Sequence, residues 1–167
     1  MKRIFIFSLL LMFLFSGLSF AQSTGKLGYV DLSRAFDEYQ KTKDFDKDLE
    51  KKGDLKQEQR EKLVKAIRKM RDEADLMNDQ ARAKKEEDIE AKIKELQEFD
   101  QDAKTTLTKE RDDMVRDILI EMNEVIREYG EKNGYSIILN DRVLLYGDKT
   151  QELTDTIIEI LNDNYRR

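Results

Sequence analysis

From Phe36 to Asn133 the apolar positions form a thin stripe at helical spacing, set in a background where nearly every second residue is charged. Leu63, Ile67, Met70, Ala74, Met77 and Ala81 step alternately by four and three, the spacing of a helix packed along one face against a single partner helix. Further on, Leu96, Leu107, Ile118 and Tyr129 recur every eleven residues, with Ala103, Met114 and Val125 keeping the same interval. That period favours a straight or slightly right-handed pair. The block holds no Pro and only Gly53 and Gly130, so nothing in it forbids long helices. A stripe this narrow does not face a thick core; it predicts slender, largely exposed helices.

The flanks change pattern. Leu27-Gly28-Tyr29-Val30-Asp31 reads as one short strand, and Asp31 or Ser33 can cap a following helix whose first turns bury Leu32, Ala35, Phe36 and Tyr39. The first long helix then runs through Phe45, Leu49 and Leu55 into the seam, and the second carries Ile89, Ile93, Leu96, Phe99, Ala103 and Leu107 on to Tyr129. Asn133-Gly134 supplies a left-handed helix end. Beyond it, Tyr135–Leu139 and Val143–Tyr146 read as two strands joined by a turn at Asn140-Asp141-Arg142. Thr154 is the expected N-cap of a last amphipathic helix burying Ile157, Ile158 and Leu161 and ending near Asn164.

These flanks force the helical block to fold back. An unbroken helix of roughly ninety residues would hold the first strand about 135 Å from the others, and a lone short strand or hairpin is unstable in water. A reversal within residues 78–87 brings the strands together and leaves a hairpin about 65 Å long. Asn78-Asp79 is the best local candidate, as a cap for the returning helix. The predicted fold class is α+β but predominantly α: a long antiparallel helical hairpin, residues 36–133, projecting from a small β-body built from 22–35 and 134–167. That body is marginal on its own, so it is expected to be completed by oligomerisation.

Composition sharpens this picture. Charged residues make up 40% of the chain, against about 25% in ordinary globular proteins, and the periodic seam selects coiled coil over disorder. Lys2 and Arg3 precede an apolar run from Ile4 to Phe15 and the small-x-small triplet Ser19-Phe20-Ala21. Residues 1–21 are thus expected to be a secretory signal peptide cleaved after Ala21, too short in its apolar run to span a membrane. Without Lys2 and Arg3 the chain holds 29 basic residues against 36 acidic ones, a net −7 that argues against general nucleic-acid binding. Zero Cys and zero His remove disulfides, thiolate or imidazole metal sites and the common nucleophile–base pairs. No cofactor, metal or enzymatic activity is expected. Asp44-Phe45-Asp46-Lys47-Asp48 opens like a calcium loop, but Leu49 stands where its Gly belongs and Leu55 where its bidentate Glu belongs, so it reads as a solvated helix face.

The stretches KLGYVDLSRAFDEY and GYSIILNDRVLLYGDKTQELTDTIIEILN, at either edge of the charged block and behind a signal peptide, resemble the Skp/OmpH family of periplasmic chaperones. The likeness covers the mature chain in layout, with its specific motifs in the two flanks. It implies a homotrimer with a β-barrel body and three helical arms around a cavity. It also implies an ATP-independent holdase that carries unfolded outer-membrane proteins toward the outer-membrane assembly machinery, with no enzymatic activity. By resemblance Leu27, Val30, Ile137, Leu139, Val143, Leu145 and Ile158 would line the body and its subunit contacts. The well-studied member of the family is strongly basic, whereas this chain is acidic, with mixed charge along the arm.

A holdase needs weak, plural contact, for which flexible Met and isolated aromatics on a charged wall are suited. Phe45, Met70, Met77 and Phe99 are the client-binding candidates; each also fits an ordinary coiled-coil seam. The competing expectation is an exported coiled-coil spacer or envelope adaptor that binds no client.

Overall fold

The computed structural model describes residues 25–166. The expected signal peptide, residues 1–21, lies outside them. Strand β1 (Lys26–Val30) leads into a short helix, α1 (Leu32–Glu38), then the long helices α2 (Gln40–Ala74) and α3 (Asp79–Asn133), strand β2 (Tyr135–Asn140) and the final helix α4 (Thr154–Tyr165).

The head is stitched from both ends of the chain. Asp31 caps α1 by accepting from Arg34 N at 2.9 Å, while its own N–H donates to Thr154 Oγ1 at 3.0 Å. Thr154 is therefore not the cap of α4, as its sequence position suggested: the hydroxyl is drawn to a donor 123 residues away. The first helical stretch is also interrupted. Tyr39 adopts an extended conformation (φ −65°, ψ 126°) between α1 and α2. The donor at the start of α2 is satisfied from outside, because Gln40 N reaches Asn162 Oδ1 of α4 at 2.7 Å. The break turns Tyr39 inward, into the core cluster it shares with Val30, Ile118, Met122, Ile157 and Leu161.

The chain reverses over Asp75–Asn78, at the near edge of the expected window. Asn78 caps α3 by accepting from Ala81 N at 3.0 Å. Because α2 stops at Ala74, Met77 and Ala81 leave the seam and are exposed. Leu76 N and Met77 N close a tight turn on Glu73 O and Ala74 O, which leaves the Leu76 side chain exposed as well. At the other end of α3, Gly134 takes φ 74°, the left-handed conformation its place after Asn133 called for, and its N–H bonds Gly130 O.

The sheet differs from expectation. β1 and β2 pair in parallel, Leu27 opposite Ile137 and Tyr29 opposite Leu139, with the helical hairpin as their crossover. The expected second strand at Val143–Tyr146 does not form. Asn140 Oδ1 accepts from Arg142 N, Leu144 N closes a turn on Asp141 O, and residues 141–143 are a 3-10 turn. These local bonds take the backbone groups a hairpin would have needed. The outer side of β1 is instead touched at Tyr29, whose carbonyl accepts from Leu153 N at 2.9 Å. Gly28 makes this approach feasible, since a Cβ there would lie 2.6 Å from the Leu153 side chain.

Candidate functional site

Among the described residues there is no cluster of three metal-ligating side chains, and no helix is long and apolar enough to cross a membrane. The surfaces that stand out are two: an apolar face on the head and scattered apolar groups along the arm.

On the head, strand alternation sorts the sheet residues. Val30 turns into the core at 1% exposure, and Ile158 of α4 lies beside it. Leu27, Ile137 and Leu139 share the opposite face and stay open, Ile137 at 50%. Val143, Leu145 and Tyr146 add exposed side chains in the segment that does not become a strand. The seven residues assigned to the body thus divide: Val30 and Ile158 hold the chain's own core, whereas Leu27, Ile137, Leu139, Val143 and Leu145 stay open to solvent within this chain. Among the described residues the far edge of β2 carries no strand either, so its backbone groups remain available.

On the arm, the four candidates are not brought together. Phe45 is half-buried near the head. Met70 is partly covered by the Ile67–Ala74–Ile89 cluster and is a seam residue. Met77 is exposed in the tip turn. Phe99 is half-buried with the Lys56 ammonium 5.3 Å from its ring centroid, a cation–π contact. Sequence reasoning passed over Leu76, which is 90% exposed at the tip, and the exposed pair Leu119-Ile120 on the flank of α3. Both leave a trace in the sequence: Leu76 is out of step with the heptad, and in Ile118-Leu119-Ile120 only one residue can face the seam.

Charge between these groups is mostly neutralised locally. At the tip, Lys85 donates to Glu73 at 2.7 Å, and that bond holds the Glu73 carboxyl below the usual carboxylate range. Arg82 pairs with Asp75 and Glu86. At the arm base, Tyr39 Oη donates to Glu121 at 2.8 Å, and Lys41 pairs with the other oxygen of the same carboxylate. Burial first, then the Glu121 contact, pushes the Tyr39 hydroxyl well above its ordinary value.

A profile described as "Outer membrane protein (OmpH-like)" matches residues 26–161, which takes in β1, both long helices, β2 and most of α4. The chain belongs to the OmpH-like family. The fold agrees: the crystal structure of a candidate OmpH-like outer membrane chaperone from Caulobacter crescentus superposes with a TM-score of 0.72 over 87% of this chain and 91% of that one. Sequence identity with it is 15%, so the likeness is one of fold. No curated protein matches the sequence.

Proposed function

We propose that this OmpH-like chain is an ATP-independent holdase of the periplasm, which keeps unfolded outer-membrane proteins from aggregating by enclosing them between helical arms before delivery to the assembly machinery. The observation that carries the reading is the arm itself: isolated, partly open apolar side chains (Phe45, Leu55, Leu76, Met77, Phe99) spaced along a wall of charged residues. Such a wall stays soluble and offers many weak contacts without a fixed site. No catalytic role or cofactor enters this function.

Enclosure requires more than one arm. The open face of Leu27, Ile137 and Leu139, the exposed Val143 and Leu145 and the free β2 edge support joining of copies at the head, in the trimer that the family resemblance implies. Export by a leader ending at Ala21 would bring the protein to where its clients pass.

The test is dilution of a urea-unfolded outer-membrane barrel protein into buffer with and without the mature chain, followed by light scattering. A holdase suppresses the scattering at about one oligomer per client. Unchanged aggregation would leave a structural spacer as the function. Ser at both Phe45 and Phe99 should weaken client retention while arm helicity stays; melting of the arm would make both of them seam residues.

A further inference from the structure

The arm has two well-packed regions and a thinly packed middle. Near the head, Ile118, Met122 and Val125 of α3 join the head core; toward the tip, Ile67 and Ala74 pack on Ile89, with Met70, Ile93 and Leu96 around them. Between the two, α2 buries no residue from Lys43 to Ala66, nor does α3 from Glu90 to Asp117. The seam residues there, among them Leu49, Leu63, Phe99, Ala103 and Leu107, are only half-buried, so hydrophobic burial, the main cohesive force between helices, is thinner across about half the arm's length.

Cross-helix ion pairs occupy that stretch. Lys52 reaches Glu110 at 2.6 Å, Lys56 reaches Asp102 at 3.6 Å while lying over the Phe99 ring, and Arg60 Nε contacts both oxygens of Asp100 at 3.0 and 3.2 Å. In all three the cation is on α2 and the carboxylate on α3. Pairs this open to solvent are individually weak and are screened by salt. Gly53 sits beside Lys52 in the same stretch, in open space where a Cβ would meet nothing within 4 Å, and it lowers helix propensity at that point.

We infer that the middle of the arm is a joint latched by the ion pairs Lys52–Glu110, Lys56–Asp102 and Arg60–Asp100, so that the angle and separation of the distal arm respond to ionic strength. The distal cluster and the head move as stiff bodies on either side of it. This inference does not depend on client binding and holds equally for a spacer.

The chain has no Cys, so paired labels are clean to introduce. In the full mature protein, one pair of spin labels is placed across the joint, at Lys51→Cys and Arg111→Cys. A second pair is placed across the distal cluster, at Arg68→Cys and Glu90→Cys. Raising salt from about 0.01 M to about 1 M shortens the screening length from about 30 Å to about 3 Å. The expected result is a broader, longer distance distribution for the joint pair at high salt, with the distal pair unchanged. A joint distribution that stays narrow throughout overturns the proposal. Reversing the α2 charges (Lys52→Glu, Lys56→Asp, Arg60→Asp) should open the joint at low salt. Adding Glu110→Lys, Asp102→Lys and Asp100→Arg should close it again; failure of that rescue, with helicity intact, also counts against the latch. Amide exchange in the unmodified protein gives an independent reading: residues 43–63 should exchange faster as salt rises while Ile67 and Ile89 hold, and equal response of both regions would overturn the proposal.

Discussion

The head and the arm are built from the same long helices, yet they hold together by different means. In the head, α3 presents Ile118, Met122 and Val125 to a core that also draws on β1, α1, the Tyr39 break and α4. Farther along the same helix the stripe continues through Leu107 and Leu96, but it meets only α2 and is half covered at best. A helical stripe is therefore no measure of cohesion by itself. What matters is how many elements converge on it: several at the head, one in the arm. The head can act as a rigid base, and the arm as a compliant wall.

The largest expected effect comes from testing that difference directly. Ile118→Ala, in the head core, should cost about 2–5 kcal/mol in denaturant unfolding at fixed protein concentration, and it should destabilise the whole chain. Ile67→Ala, the arm counterpart, should fall at the low end of that range and raise amide exchange only in the distal arm. Equal, global losses from both would mean that head and arm form a single cooperative unit.

The next effect probes how the head is closed. Thr154→Val keeps the shape of a buried residue but leaves Asp31 N–H without its acceptor, and should cost about 1–3 kcal/mol in the same measurement. A neutral result would mean that apolar packing alone joins the two chain ends.

This bond also marks where the sequence stopped being informative. The seam, the returning cap at Asn78 and the helix stop at Gly134 were legible because each depends on residues within a turn or two of one another. Thr154 was misread as a cap and the helix break after Tyr39 was missed, because Thr154 Oγ1 is taken by Asp31 N and Gln40 N by Asn162, partners more than a hundred residues away in sequence. The burial of Tyr39 itself was read correctly. The strand expected at Val143–Tyr146 failed for a different reason. Its apolar run looks like a strand, but the local bonds of the turn-forming Asn140 and Asp141 prevail over pairing with the open edge of β2. Among the candidate binding residues, Met70 could not be separated from a seam residue by periodicity, since seam and surface share the heptad. Leu76 was legible as a residue out of step with the heptad but was passed over in favour of the seam positions beside it.

Alkaline titration offers a milder probe of the arm base. The Tyr39 hydroxyl ionises in the unfolded chain near its ordinary value of 10.0 but well above that when folded, owing to burial and then to Glu121. The unfolded state therefore releases the proton first, and stability should be full below pH 10 and fall as pH climbs beyond it. Tyr39→Phe should flatten this residue's share of the slope. An unchanged pH dependence in that variant would show that the arm base is held without the Tyr39 hydroxyl.

In the arm, the expected change is a gain. Gly53→Ala meets no neighbour and removes a flexible point in α2, so it should raise stability by about 0.5–1 kcal/mol and slow amide exchange between residues 43 and 63. If the variant is less stable, the backbone at Gly53 is under a demand its helical setting does not show.

The smallest effect on stability should come at the tip, and it separates folding from function most cleanly. Leu76 is 90% exposed and contributes nothing to the Ile67–Ala74–Ile89 cluster, so Leu76→Ser should change stability by less than about 0.5 kcal/mol. An exposed Leu beside an exposed Met, at the end of a charged arm, leaves two apolar side chains free to meet an apolar segment of a client. If the arms enclose clients, Leu76→Ser should shorten client retention in the dilution assay with unfolding curves superimposable on the parent. If retention is unchanged, contact with clients is confined to the sides of the arm, around Phe45 and Phe99, and the tip is only where the chain turns.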